Sequence, residues 1–177
     1  MKKIFLVLAA ALCVATVSAQ NKFESSVKNA AQAIASQQWS VGARLGSGFQ
    51  AQAECFYGDK TYIEARFGMQ WATRALTAVF TVLHNWNVFN MDWTPSVGQW
   101  FFDAGCGLNV GGREHFAYIG VAGQAKLGIK FNNVPIRFAI DWTPSFGPGI
   151  VYFGGLSHAE FFKHGLCNLG LSATYCF

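Results

Sequence analysis

The stretch from Gln124 to Ser145, "QAKLGIKFNNVPIRFAIDWTPS", decides how this chain is read. In its first half Ala125, Leu127, Ile129 and Phe131 fall on one parity, with Gln124, Lys126, Gly128 and Lys130 on the other. In its second half Ile136, Phe138, Ile140 and Trp142 oppose Arg137, Asp141 and Thr143. Successive side chains of an extended strand point to opposite faces, so each half reads as a strand with one apolar and one polar face, joined by a turn at Asn132-Asn133.

The same alternation recurs in both directions. In "TYIEARFGMQW", Ile63, Ala65, Phe67, Met69 and Trp71 oppose Tyr62, Glu64, Arg66, Gly68 and Gln70. In "QWFFDAGCGLNV", Trp100, Phe102, Ala104, Cys106, Leu108 and Val110 oppose Gln99, Asp103, Gly105, Gly107 and Asn109. The ending "NLGLSATYCF" sets Leu169, Leu171, Ala173, Tyr175 and Phe177 against Asn168, Gly170, Ser172, Thr174 and Cys176. Eight such segments can be marked, at 39–47, 49–57, 61–71, 76–89, 97–110, 116–131, 134–144 and 166–177, an even number as a single-chain bacterial barrel requires.

Composition narrows the class. The chain is 52% hydrophobic and only 12% charged, yet its long charge-free stretches, Ala75 to Met91 and Trp142 to Ala159, are broken by Thr, His and Asn in the first and by Pro144, Pro148 and four glycines in the second. Neither is a spanning helix. The other way to cross a bilayer with every backbone group satisfied is a closed β-barrel, so the expected fold is all-β: an eight-stranded antiparallel up-and-down transmembrane barrel over 38–177.

Residues 1–19 form a secretory signal peptide. Lys2 and Lys3 precede an apolar run from Ile4 to Val17, and Val17-Ser18-Ala19 offers cleavage after Ala19. The run is too short to span, and Leu12 before Cys13 speaks against a lipoprotein signal. Residues 20–37 break the alternation; Phe23, Val27, Ala31 and Ile34 make a helical stripe, expected as a short periplasmic segment serving as a cap, a plug or a docking piece. Removing Lys2 and Lys3 from the net charge of +4 leaves +2, without a basic cluster, which excludes a nucleic-acid partner.

Parity assigns the interior. Arg44, Arg66, Lys126, Lys130 and Arg137 share a face with Glu54, Glu64, Asp103 and Asp141, interleaved with glycines that make room for long side chains. An eight-stranded barrel holds side chains and little else. These charges are expected to pair with one another as a structural plug, the alternative being a narrow pore or small-molecule channel. On the other face, Trp39, Trp86, Trp93 and Trp100 fall at the periplasmic strand ends and Trp71 and Trp142 at the outer ends, as an interfacial aromatic girdle requires.

Short turns at 58–60, 90–96 and 132–133 are placed on the periplasmic side. On the outer side lie a tight bend near Ser47-Gly48, loops at 72–75 and 111–115, and a long loop from Ser145 to Gly165. That loop carries Ile150, Val151, Tyr152, Phe153, Phe161 and Phe162, more apolar surface than a solvated loop needs, and is the candidate surface for an extracellular partner. Its Ser157, His158, Glu160 and His164 are the residues a lipid-modifying enzyme would use, but their spacing matches no metal site; no catalytic residue, metal or cofactor is expected. His84 faces outward and His115 sits in an outer loop, each without an evident partner. The four cysteines after the leader lie on faces and strands that do not bring them together, so free thiols are expected.

A soluble periplasmic barrel of the lipocalin type is the main competitor, with the apolar face as its ligand cavity. The glycine-rich charged face is a poor water-exposed surface, and the aromatics gather at strand ends rather than along a cavity.

"GQAKLGIKFNNVPIRFAIDWTPSFGP", "WFFDAGCGLNVGG" and "NLGLSATYCF" resemble the small outer-membrane β-barrels of the Bacteroidetes type, similar in turn to the eight-stranded transmembrane domains of the OmpA and OmpX kind. Pro135, Asp141 and Pro144 match that family's strand-ending pattern. The resemblance implies a cell-envelope, porin-like fold in a Gram-negative outer membrane. It also implies outer-membrane lipids and the assembly machinery as partners, with Gly170, Tyr175 and Phe177 as the assembly signal. It brings no catalytic residue.

The pentapeptide "DWTPS" occurs twice, at Asp92 to Ser96 and at Asp141 to Ser145. The first is expected in a periplasmic turn, the second at the outer end of a strand stopped by Pro144, with only Asp141 joining the interior charges.

Overall fold

The computed structural model describes residues 39–71, 76–153 and 156–177, and for 152, 153, 156, 157, 160 and 162–164 the backbone alone. The expected signal peptide of 1–19 and the expected helical segment of 20–37 lie outside the described residues. Among the described residues there are ten strands: β1 (Trp39–Gly46), β2 (Gly48–Phe56), β3 (Thr61–Gln70), β4 (Thr77–Met91), β5 (Gly98–Arg113), β6 (Phe116–Phe131), β7 (Ile136–Trp142), β8 (Ser145–Phe153), β9 (Leu156–Gly165) and β10 (Leu169–Cys176). All pairings are antiparallel, and β1 to β7 with β10 close on themselves through the β1–β10 and β5–β6 ladders, giving an eight-stranded barrel.

Closure can be followed residue by residue. From Trp71 the backbone bonds lead to Ser47 and on to Leu169; Leu169 pairs with Trp142, Trp142 with Ala125, Ala125 with Ala104, Ala104 with Trp86, and Trp86 with Thr61. The circuit returns to the Trp71 strand ten residues below its start, so the shear is ten. With ordinary strand rise and spacing, eight strands at that shear tilt by about 41°.

The expected long loop at 145–165 is instead two strands. β7 continues past Thr143-Pro144 as β8, and β9 leads through a short irregular turn into β10, so the last two barrel strands extend together as a protruding hairpin. Pro144 does not stop the chain because a proline withdraws only its N–H. Its carbonyl still accepts from Gly123 N at 2.9 Å, and Thr143 N still donates to Asn168 O at 2.8 Å. At Pro148 the β6–β8 ladder skips its bonds and resumes at Gly149.

This hairpin marks one end of the barrel. The opposite end carries the turns between β2 and β3, β4 and β5, and β6 and β7. Two tight reversals lie at the hairpin end. Gly46, at φ 155°, precedes the single residue Ser47 between β1 and β2, where a Cβ on Gly46 would lie 2.2 Å from the Leu169 carbonyl. His115, at φ 64° in the left-handed region, closes β5–β6.

Candidate functional site in the barrel interior

Alternation places the charged parity inside. Arg44, Glu54, Glu64, Arg66, Asp103, Lys126 and Asp141 are each at most 2% exposed, and Arg137 is buried at 7%. Lys130 shares their parity but lies exposed at the turn-end rim, so it is a mouth residue rather than a lumen one. Parity fixes the face of a strand, and position along the strand decides the depth.

The eight buried charges form one alternating chain. Arg44 pairs with Asp141 at 2.7 Å, and Asp141 is 3.4 Å from Arg66. Arg66 pairs with Glu64, and Glu64 with Lys126 at 2.6 Å. Lys126 pairs with Glu54 at 2.9 Å, Glu54 with Arg137 at 2.9 Å, and Arg137 with Asp103 at 3.2 Å. Four cations and four anions alternate without a repeat, so the row is neutral. Apart from Glu64–Arg66 within β3, every link joins strands that are not neighbours in the sheet: β1–β7, β3–β7, β3–β6, β2–β6, β2–β7 and β5–β7.

Burial of such a row is tolerable only if spare hydrogen-bonding capacity is filled. Ser40 and Gln52 donate to Glu54, Asn85 to Glu64, Tyr62 and Asn87 to Asp103, and Thr143 to Asp141. Asn168 Oδ1 and Gln50 Oε1 accept from Arg44. At the turn end the Arg137 guanidinium lies 4.2 Å from the centre of the Phe101 ring.

Beyond this row, toward the hairpin end, the lumen becomes uncharged. Gln70 stands four residues past Arg66 on β3, and Ser145 four past Asp141. Asn109 donates to Thr81 at 2.8 Å. Both amide atoms of Gln70, Oδ1 of Asn109 and Oγ of Ser145 have no hydrogen-bond partner among the described residues. Further up, Phe116 and Tyr118 pack together with Val151 over the interior. The sequence contains this layer, but its polar residues carry no charge and its glycines hide the aromatic cover.

The outward parity carries the apolar surface. Trp39, Trp71, Trp86, Trp93 and Trp142 are all exposed. Trp93 and Trp100 pack with ring centres 5.3 Å apart, and Trp100 donates its N–H to Thr94 at 2.8 Å. Trp142 does not cap a strand as expected, because β8 carries the chain onward; its indole N–H donates to the Leu166 carbonyl at 2.8 Å. His84 has a partner that its lone position in the sequence hid: its Nε2 meets the Tyr57 hydroxyl, and its ring lies beside Trp86.

The candidate catalytic set is not assembled by what is described. His158 is exposed on β9, and the side chains of Ser157, Glu160 and His164 lie outside the described residues. Cys55, Cys106, Cys167 and Cys176 are free thiols. The two "DWTPS" copies separate as expected: Asp92 and Trp93 are exposed in the β4–β5 turn, whereas Asp141, Thr143 and Ser145 are buried in the lumen.

No protein-family model matches the chain, and no curated protein matches it. Among solved structures, the crystal structure of the N-terminal β-barrel domain of Pseudomonas aeruginosa OprF aligns at 15% identity with a TM-score of 0.41, over 80% of this chain and 96% of that one.

Proposed function

We propose that this chain is an outer-membrane β-barrel whose lumen is filled by its own paired charges, serving the envelope as a structural, non-catalytic element. The inversion of the ordinary soluble pattern carries this reading. Most of the buried side chains are polar or charged, while Phe67, Leu108, Ile140 and Leu171 stand outward at 58 to 64% exposure. A water-facing surface of that kind is disfavoured, and a hydrocarbon-facing one is what a closed barrel needs.

The neutral, hydrogen-bonded row across the lumen favours a plug over a pore, and a polar interior does not suit a lipocalin-like carrier of apolar ligands. Outer-membrane lipids and the assembly machinery, reading Gly170, Tyr175 and Phe177, are the proposed partners, after removal of the leader behind Ala19. Cell fractionation with heat-modifiable gel migration tests the placement; a soluble periplasmic protein would overturn it. Liposome swelling tests the plug, and sugar-permeable vesicles would replace it by the pore.

A second reading is presentation of the 145–165 hairpin to an extracellular partner. It is favoured by β9, which among the described strands pairs with β8 alone and so leaves its other edge for a further strand. Deleting 149–162 should abolish cell-surface binding; unchanged binding would remove the idea.

A further inference from the structure

The outward apolar surface is not a band of even height. On β1 it runs from Trp39 to Leu45 and on β2 from Cys55 to Phe49, six residue steps each, after which the wall ends at the Ser47 turn. On β6 it runs from Phe131 to Ala117, and along β7 and β8 from Ile136 to Ile150, fourteen steps each. β2 and β6 stand opposite each other, four strands apart by either route. At the tilt given above, each residue rises about 2.5 Å along the barrel axis, so the apolar wall is about 15 Å tall on β1–β2 and about 35 Å on β6–β8.

Measured the same way, the turn-end starts of these runs fall within about 8 Å of one another. The difference therefore lies at the hairpin end. Tilting a barrel with parallel rims moves both rims together, so tilt alone does not absorb it. Along β6 no charged residue interrupts the tall outward face; charge returns at Arg113, the last residue of β5, and at Glu114 in the β5–β6 turn. Trp142, part-way up this wall, has its N–H satisfied by the Leu166 carbonyl, as an indole away from the interface requires.

Resting on the membrane-barrel reading above, we propose that the barrel meets lipid through a wedge-shaped belt. The outer face of β8 at Phe146 and Ile150, a strand paired on both sides, is immersed in acyl chains, and the outer lipid boundary dips past the open edge of β9 toward the Ser47 turn on the far side. The occupant of the tall face is lipid because that face continues the rest of the outward surface without a break in parity. A bilayer bounded by walls of such unequal height must thin beside the short one.

The test uses nitroxide labels on single cysteines at Ala104, Ile119, Ile150 and Ser47, in the full chain with Cys55, Cys106, Cys167 and Cys176 replaced by alanine, in dioleoylphosphatidylcholine vesicles. Collision with oxygen reports hydrocarbon and collision with a water-soluble nickel chelate reports water. The wedge requires an oxygen-to-nickel ratio at Ile119 and Ile150 comparable to that at Ala104 and several-fold above that at Ser47. A lipid signal at Ala104 with a water signal at Ile150 overturns the wedge and spares the membrane barrel. Equal lipid signals at Ile150 and Ser47 overturn it likewise, as a level belt. A water signal at Ala104 overturns both.

Discussion

Gly170 lies directly against the guanidinium of Arg44: a Cβ added there would be 2.4 Å from Arg44 Cζ. The glycine is thus the space in which the first cation of the row is held against Asp141. Gly170→Ala should push Arg44 aside and cost about 1–3 kcal/mol, in the range of overpacked sites. Gly123→Ala, whose new Cβ would meet only Pro144 Cγ at 3.6 Å, should be close to neutral. Urea unfolding of both variants in lipid vesicles, followed by tryptophan fluorescence, checks the contrast; equal stabilities would break the link between Gly170 and the row.

Lys126 is the sole described cation bonded to both Glu54 and Glu64. Lys126→Met removes it and leaves two buried carboxylates short of a partner, with an expected loss of about 3–5 kcal/mol. The double change Lys126→Met, Glu54→Gln leaves three cations and three anions, with Arg66 on Glu64 and Arg137 on Asp103, and should recover part of that loss. If the double variant is less stable than the single one, the charge balance of the row is not what holds it.

The outward positions admit a separate test. Ala104 and Ile129 sit on the outward parity of β5 and β6, and Arg at either should cost roughly 2–4 kcal/mol near a bilayer midplane. Variants that insert and fold in vesicles as well as the parent would show that this parity does not face hydrocarbon.

Gln70 offers a stabilising change. Its amide is 1% exposed and has no described hydrogen-bond partner, so Gln70→Met exchanges an unmet polar group for an apolar one of similar volume. The melting point should stay level or rise. A fall of the size expected for Lys126→Met would mean the amide is bonded after all.

The barrel was legible in the sequence because its rule is local. Gln124 to Phe131 shows a two-residue period without knowledge of any partner, and all eight barrel strands announce themselves in that way. The β8–β9 hairpin was not legible, because Pro144 and Pro148 read as stops and nothing local shows that neighbouring carbonyls and N–H groups can carry the ladder past them. Parity brought Lys130 into the lumen set, while its place at the end of β6 put it on the rim. The pairing order was out of reach altogether: Arg44 and Asp141 stand 97 residues apart, and only the shear of the closed barrel brings them together.

That pairing order bears on how the molecule is made. In a curled but unclosed sheet of the same strands, Glu64 with Arg66 is the one link made within a strand; the others reach over at least one intervening strand, and four of them cross the lumen. The charges must stay hydrated until the last seam shuts, and water leaves them only as their partners arrive. Closure is then a commitment of the whole row rather than a sequence of strand additions, and a chain stalled short of it advertises its incompleteness as a row of solvated charges along one face.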